Sequence, residues 1–297
     1  MGLSSGLTKS VAFIIGTRQR QGAAVPLPIG TGFLLGVRPP SEPSSRRAFT
    51  LYLATAAHVV RGENPTWVRL RRLEGELEDV PVAGWFIHDR ADVAIAVLDL
   101  EERHTPYDIA VLPIPDFLPA GAEQRYGARR RPLTRDDRPM LGDAVYFIGL
   151  FTSLPSMGAR NLPLVRSGTL AAMSVEKVPV TMKDRTITRY TAHLIDCRAY
   201  AGFSGSPCFV QFPKEPGIGG VGRPDEETEL LGVFSSHFDW METAAVTGDL
   251  ADVEGSVRFP VNLGVGVVTP SASIVELLDR DDVLLDRLER ERGYMSE

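Results

Sequence analysis

The stretch Gly202-Phe203-Ser204-Gly205-Ser206-Pro207 has the Gly-x-Ser-Gly-x-Pro form of a tight turn that pushes a serine hydroxyl out beside unpaired backbone N–H groups. Ser204 is therefore a candidate nucleophile. A hydroxyl is too weakly acidic to attack an amide unaided and needs a base within reach, itself oriented by a third group. Two upstream runs offer both. Thr55-Ala56-Ala57-His58-Val59-Val60 carries a histidine at the end of an apolar run, and Asp92-Val93-Ala94-Ile95-Ala96-Val97 opens another apolar run with a carboxylate. The chain order His58, Asp92, Ser204 is one of the orders known for such a triad. Taken singly, His58 would read as an ordinary partly buried histidine and Asp92 as a strand cap, with Asp89 a rival orienting group.

The chain has 297 residues, 43% of them hydrophobic and 24% charged, with a formal net charge of -6. That length buries a sizeable core, and the composition is that of a globular protein rather than a disordered one. The acidic balance argues against nucleic acid as the main partner. Apolar stretches are short, rich in Val, Ile, Leu and Phe, and separated by Gly, Pro and Asp clusters, which is a β pattern. Val11-Ile15, Thr31-Leu35, Phe49-Ala54, Thr66-Arg71, Asp79-Phe86 and Ala94-Leu98 are expected to form one barrel. Ala144-Ile148, Val165-Met173, Thr186-Asp196, Ser206-Gln211, Leu230-Ser235 and Gly264-Val268 are expected to form another. Between them, Thr105 to Leu141 reads as a linker. After Pro270, Ile274, Leu277, Leu278, Leu285 and Leu288 recur at helical spacing, predicting a terminal amphipathic helix.

On these motifs the chain resembles the chymotrypsin-fold, trypsin-like serine peptidases. Further runs resemble the protease domain of the bacterial Deg (HtrA-like) group: Thr31-Gly32-Phe33-Leu34, Gly142-Asp143-Ala144-Val145-Tyr146-Phe147-Ile148-Gly149, Ser167-Gly168-Thr169-Leu170 and Asn262-Leu263-Gly264-Val265-Gly266-Val267-Val268-Thr269-Pro270-Ser271. The resemblance implies an all-β fold of two six-stranded antiparallel β-barrels with a C-terminal helix. The expected division is an N-terminal barrel over 1–115 with His58 and Asp92, a linker over 116–140, a C-terminal barrel over 141–270 with Ser204, and a helix over 271–297. The residues after Pro270 fall short of the roughly 50 of a minimal domain, so no PDZ module is expected.

The same resemblance implies peptide-bond hydrolysis through an acyl-enzyme, without cofactor or metal. Backbone N–H groups of Gly202 and Ser204 would form the oxyanion hole. Ser235, Ser236 and His237 would line the substrate cleft, the Ser235 hydroxyl supporting Asp92 and the backbone pairing with substrate as an added strand. Arg198, six residues before the serine, falls at the base of the primary specificity pocket. A guanidinium there would select acidic side chains; turned away toward Asp196 or solvent, it would leave a pocket for small apolar ones. Two departures stand out. Phe203 occupies the position where digestive enzymes carry an activating aspartate, and Ser206 replaces a usual second glycine and is expected to crowd the oxyanion-hole turn.

Cys197 and Cys208 are the only cysteines, unlike the disulfide frameworks of secreted enzymes. Val11-Ile15 is shorter than the roughly 7–15 apolar residues of a signal-peptide core, Gly6 stands where a myristoylation motif needs Ser or Thr, and no run approaches the roughly 20 residues of a membrane span. A cytoplasmic location is expected, and the arginine-rich basic content points to a bacterial source. The five histidines form no HExxH pattern and the cysteines no CxxC pair. Arg129-Arg130-Arg131 sits beside Asp136 and Asp137 without aromatic interleaving and reads as solvated linker. The expected partners are a protein or peptide substrate and a regulatory protein, with no nucleic acid and no membrane. The alternative reading is a catalytically silent or latent module that binds partners through its cleft and its inserts over 213–228 and 239–258.

Overall fold

The computed structural model describes residues 5–20, 22–37, 50–63, 65–100, 107–113, 139–149, 151, 161–181, 186–199, 202–213, 226–246 and 255–295. A short helix α1 (Ser5–Lys9) leads into β1 (Val11–Arg20), β2 (Ala23–Val37) and β3 (Thr50–Thr55). The one-turn helix α2 (Ala57–Val60) follows, then β4 (Thr66–Arg71), β5 (Leu77–Val82), β6 (Phe86–Ile87), β7 (Ala94–Val97) and β8 (Leu112–Pro113). These strands make one sheet in the order β5-β4-β1-β2-β3-β7-β6, with β8 added parallel to β2. Period-2 burial shows why they pair in this register: along β4 Val68 and Leu70 point into the core while Trp67, Arg69 and Arg71 lie half-buried on the other face.

The second sheet closes as a six-stranded barrel, β10-β11-β14-β13-β12-β9, from β9 (Ala144–Gly149), β10 (Leu164–Thr181), β11 (Ile187–Asp196), β12 (Pro207–Pro213), β13 (Glu226–Val246) and β14 (Gly255–Pro270). The chain ends in helices α3 (Ala272–Leu278) and α4 (Asp281–Met295). This is the chymotrypsin-like arrangement of two β-sheets with C-terminal helix. Among the described residues no helix is long and apolar enough to cross a membrane.

One apolar cluster joins the parts. It runs from Phe33, Tyr52 and Ile95 of the first sheet through Val59 and Val60 beside His58, to Ile148, Phe209 and Val233 of the second, and on to Ile274, Leu277, Leu278 and Val283 of the terminal helices. The loop that carries His58 therefore rests on side chains from both sheets. A separate cluster fills the barrel itself around Phe147, Phe203, Cys208, Phe234 and Val268. Phe147 stacks on Phe234, with centroids 5.1 Å apart, and meets Phe203 edge to face at 5.4 Å.

Several elements depart from the sequence expectation. The first sheet has eight strands rather than six, because the short β8 and the hairpin piece β6 add edges to it. The terminal helix is two helices, broken at Asp279 and Arg280. Residues 107–113, within the stretch Thr105–Leu141 that reads as linker but also within the expected barrel over 1–115, belong to the first sheet through β8 and a bridge between Arg72 and Tyr107; Arg129-Arg130-Arg131 lies outside the described residues. The insert over 239–258 is largely strand, since β13 and β14 stay paired from Asp239–Asn262 out to Val246–Gly255.

Candidate active site

Thr55 ends β3 and its hydroxyl donates to the Thr31 carbonyl at 2.7 Å, so the chain enters α2 at a fixed point and His58 falls on the helix's partly exposed face. The opposite strand β7 starts just after Asp92, whose carboxylate is wholly buried. Asp92 holds His58 at two points. Its Oδ1 accepts the His58 backbone N–H at 2.9 Å, and its Oδ2 lies 2.7 Å from His58 Nδ1. Burial alone pushes the Asp92 carboxyl up, but attraction to His58, the bonds from its ring and backbone and the Ser235 hydroxyl outweigh it and hold the carboxyl below its ordinary value. A carboxylate facing Nδ1 requires that nitrogen to carry the proton, which leaves Nε2 as the basic lone pair. Asp89, the rival residue, sits instead near the guanidinium of Arg280.

Ser204 lies in the expected tight turn. Its backbone carbonyl accepts the Thr31 N–H at 2.9 Å, the neighbouring Gly202 carbonyl accepts the Thr31 hydroxyl at 2.9 Å, the Gly205 N–H donates to Phe234 at 2.8 Å and the Ser206 N–H to Phe203 at 2.9 Å. One residue of the first sheet, Thr31, thus staples the nucleophile turn of the second. Gly205 has φ +90°, and a Cβ there would strike the Thr31 carbonyl and the Thr55 hydroxyl, so only glycine lets the turn approach the first sheet so closely. The N–H groups of Gly202 and Ser204 donate to no acceptor among the described residues.

The Ser204 hydroxyl itself donates to the backbone carbonyl of Ser235 at 3.0 Å. A hydroxyl has one proton to give, and among the described residues it is not given to His58. His58 and Asp92 are brought together; the Ser204 hydroxyl is bonded to β13 instead. Ser235 is buried, its hydroxyl 2.7 Å from that of Thr269, and Thr269 in turn reaches the Asp92 carbonyl at 3.4 Å. Ser236 and His237 follow on β13, opposite Val267 and Gly266, and His237 Nε2 is 3.3 Å from Asp239.

Ser206 is fully buried and its hydroxyl has no hydrogen-bond partner among the described residues. The side chain fills the space over Gly149, where a Cβ would run into it. Arg198 is exposed; its carbonyl is held by the guanidinium of Arg166 at 2.8 and 3.2 Å. The next residue, Ala199, is tied to β14 by Asn262 Nδ2 at 2.8 Å. Gly266 is packed so tightly on Cys197 Sγ, Phe234 and Ile195 that a Cβ there would strike them. The two cysteines are free and buried, and burial pushes Cys197 up to about 11 and Cys208 well above its ordinary value, so both are inert thiols.

Sequence reading missed Thr31 and Gly149 as positioning residues. Thr31 opens the Thr-Gly-Phe-Leu motif, and Gly149 closes the Gly-Asp-Ala-Val-Tyr-Phe-Ile-Gly run, so each stood in a quoted motif without an assigned task.

A family model described as trypsin-like peptidase domain matches residues 30–211. No curated protein matches the chain in sequence. Similar solved structures include the MamO protease domain from Magnetospirillum magneticum, with 17% identity, TM-score 0.49, and 94% of this chain and 100% of that chain covered. The Rv3671c protease from M. tuberculosis in its active form gives 18% identity, TM-score 0.43 and 92% and 81% coverage. Human heparin binding protein gives 15%, 0.47, 94% and 93%. The matched span reaches from the strand that carries Thr31 through His58 and Asp92 to the strand after Ser204, and on that span the chain belongs to the trypsin-like peptidase family, as a serine endopeptidase.

Proposed function

We propose that the chain cleaves peptide bonds through His58, Asp92 and Ser204, as a narrow-specificity enzyme whose resting nucleophile is latent. The two-point grip of Asp92 on His58, from a fully buried carboxylate, is the observation that carries this reading. It fixes the tautomer in which Nε2 accepts a proton. Rotation about the Ser204 side-chain torsion, between staggered wells, moves the hydroxyl from the Ser235 carbonyl to that lone pair. His58 then takes the proton as Ser204 Oγ attacks the scissile carbonyl, and returns it to the leaving amine. The N–H groups of Gly202 and Ser204 face the oxyanion, at about 3 kcal/mol of transition-state stabilisation per donor. Water repeats the sequence on the acyl-enzyme.

Specificity follows from the direction of Arg198. With its side chain exposed, Arg198 leaves the acyl side of the cleaved bond to small apolar residues such as Val, Ala or Leu, because burying an unpaired guanidinium there would be costly. A fluorophosphonate probe tests the chemistry: wild type is labelled at Ser204, and Ser204→Ala or His58→Ala abolishes labelling. The bond from Ser204 to the Ser235 carbonyl also favours a second reading, a silent partner-binding module. Wild type that stays unlabelled while folded, with substrate-like peptide and candidate regulatory protein supplied, supports that second reading.

A further inference from the structure

β13 begins as an ordinary barrel strand and then outgrows the barrel. From Glu226 to Val233 it has β12 on one side; from Ser235 to Val246 its pairing among the described residues is with β14 alone. The other edge of that second stretch has no strand partner among the described residues. At about 3.3 Å per residue this edge is on the order of 40 Å long, and it starts at the carbonyl that holds the Ser204 hydroxyl. Where the ribbon leaves the barrel, the register shifts between His237 and Asp239, opposite Gly264 at φ +79°, as a bulge that redirects a hairpin does. Phe238 anchors that corner on the apolar cluster of Val178, Val180 and Tyr190.

Exposed edges are normally blunted by proline, lysine or short length. The run Ser235-Ser236-His237-Phe238-Asp239-Trp240-Met241-Glu242-Thr243-Ala244-Ala245-Val246 has no proline, lysine or arginine, so every residue retains its N–H. Resting on the protease reading above, we propose that this edge is an extended acyl-side binding strip: the substrate is an unfolded segment that adds as an antiparallel strand to β13 well beyond Ser235–His237, paired chiefly through its main chain. The substrate class is therefore a long extended polypeptide, selected by length and strand propensity as well as by the residue at the cleaved bond.

The test uses the full chain as Ser204→Ala, so that binding is read without cleavage. Fluorescein-labelled peptides share one cleavage-site sequence and carry about four, six, eight or ten residues on its acyl side. Anisotropy is expected to show at least a tenfold gain in affinity between four and eight residues, removed by N-methylating alternate amides in the added segment. In a second protein, residues 241–260 are replaced by an Asn-Gly turn, which suits a two-residue hairpin loop, and the ratio of long-peptide to short-peptide affinity is expected to fall to about one. Equal affinity at every length overturns the proposal, as does a gain that survives N-methylation or ribbon shortening. So does a stable dimer of Ser204→Ala, by sedimentation, that long peptides fail to dissociate, since the edge is then occupied by a second copy. Fluorophosphonate labelling of wild type reports the protease reading separately, so the two fail independently.

Discussion

Single residues set the two sides of the nucleophile turn. Gly149 and Ser206 are complementary: the serine hydroxyl occupies the volume a side chain at 149 would need, and Phe203 and Thr31 bound the same space. Gly149→Ala is expected to destabilise the fold by about 2 kcal/mol through overpacking. Ser206→Gly relieves part of that clash, so urea unfolding of the double variant should show a smaller loss than the sum of the two single changes. Strict additivity would mean that the two positions do not share that space. Arg198 is the opposite case, a residue whose position suggests a task while its side chain is exposed. Because its guanidinium lies in solvent, Arg198→Ala should leave the cleavage profile of a peptide library unchanged, dominated by Val, Ala or Leu on the acyl side. Dominant cleavage after Glu or Asp, lost in Arg198→Ala, would assign the pocket to the arginine.

At the scale of elements, the terminal helices clamp the turn that presents Asp92. Arg280, in the break between α3 and α4, donates through Nη1 to the Ile87 carbonyl at 2.7 Å. His88 Nδ1 accepts the Arg90 N–H at 3.0 Å, and its Nε2 meets Glu276 of α3 at 3.2 Å. The two bonds from the terminal helices thus act on the end of β6 and on His88 just after it, in the run that leads to Asp92. Arg280→Ala is expected to cost about 1–2 kcal/mol, as loss of a charge-assisted hydrogen bond, and to lower kcat more than it raises KM, because the orienting carboxylate moves while the cleft strand β13 does not. An effect confined to KM would sink that account. The strands that pack on a core were legible in sequence because burial imposes alternation, as along Thr66–Arg71. β1, β2, β13 and β14 were read too short. Val11-Ile15 extends to Arg20 and Leu230-Ser235 to Val246, and the added residues run on as two-stranded ribbons whose sequence carries no clear alternation. The His58–Asp92 pair was legible because each residue ends or opens an apolar run, and the Ser204 turn because of its Gly-x-Ser-Gly-x-Pro form. Thr31 was not, since its partners Gly202 and Ser204 lie about 170 residues away in sequence and only folding brings them near; the proton of Ser204 was equally hidden, because a rotamer leaves no mark on composition.

At the scale of the whole molecule, the sheets are coupled through Thr31 and the shared apolar cluster, so loosening the barrel releases the nucleophile turn as well. His193, 7% exposed on β11, is the group through which acid can do this. Its Nδ1 accepts the Ser174 N–H at 3.0 Å, and Ser174 holds a left-handed φ of 51°, so protonation would set a donor against a donor in a constrained turn. Burial lowers its pKa to about 4 from an ordinary 6.5. A depressed histidine means that the unfolded chain binds the extra proton first. Stability from His193 is therefore whole above about pH 6.5, declines as pH falls, and levels off near pH 4, with a total on the order of 3 kcal/mol at 1.36 kcal/mol per unit. Asp92, with its pKa held down, adds acid sensitivity only below that window. Urea unfolding at pH 7, 6, 5 and 4.5 should thus show a falling free energy in wild type and a flatter one in His193→Gln, and fluorophosphonate reactivity at Ser204 should fade with the unfolding transition. Equal slopes for the two proteins, or a His193 ring that titrates near 6.5 by NMR, would remove His193 as the origin of the acid sensitivity and return it to the carboxylates.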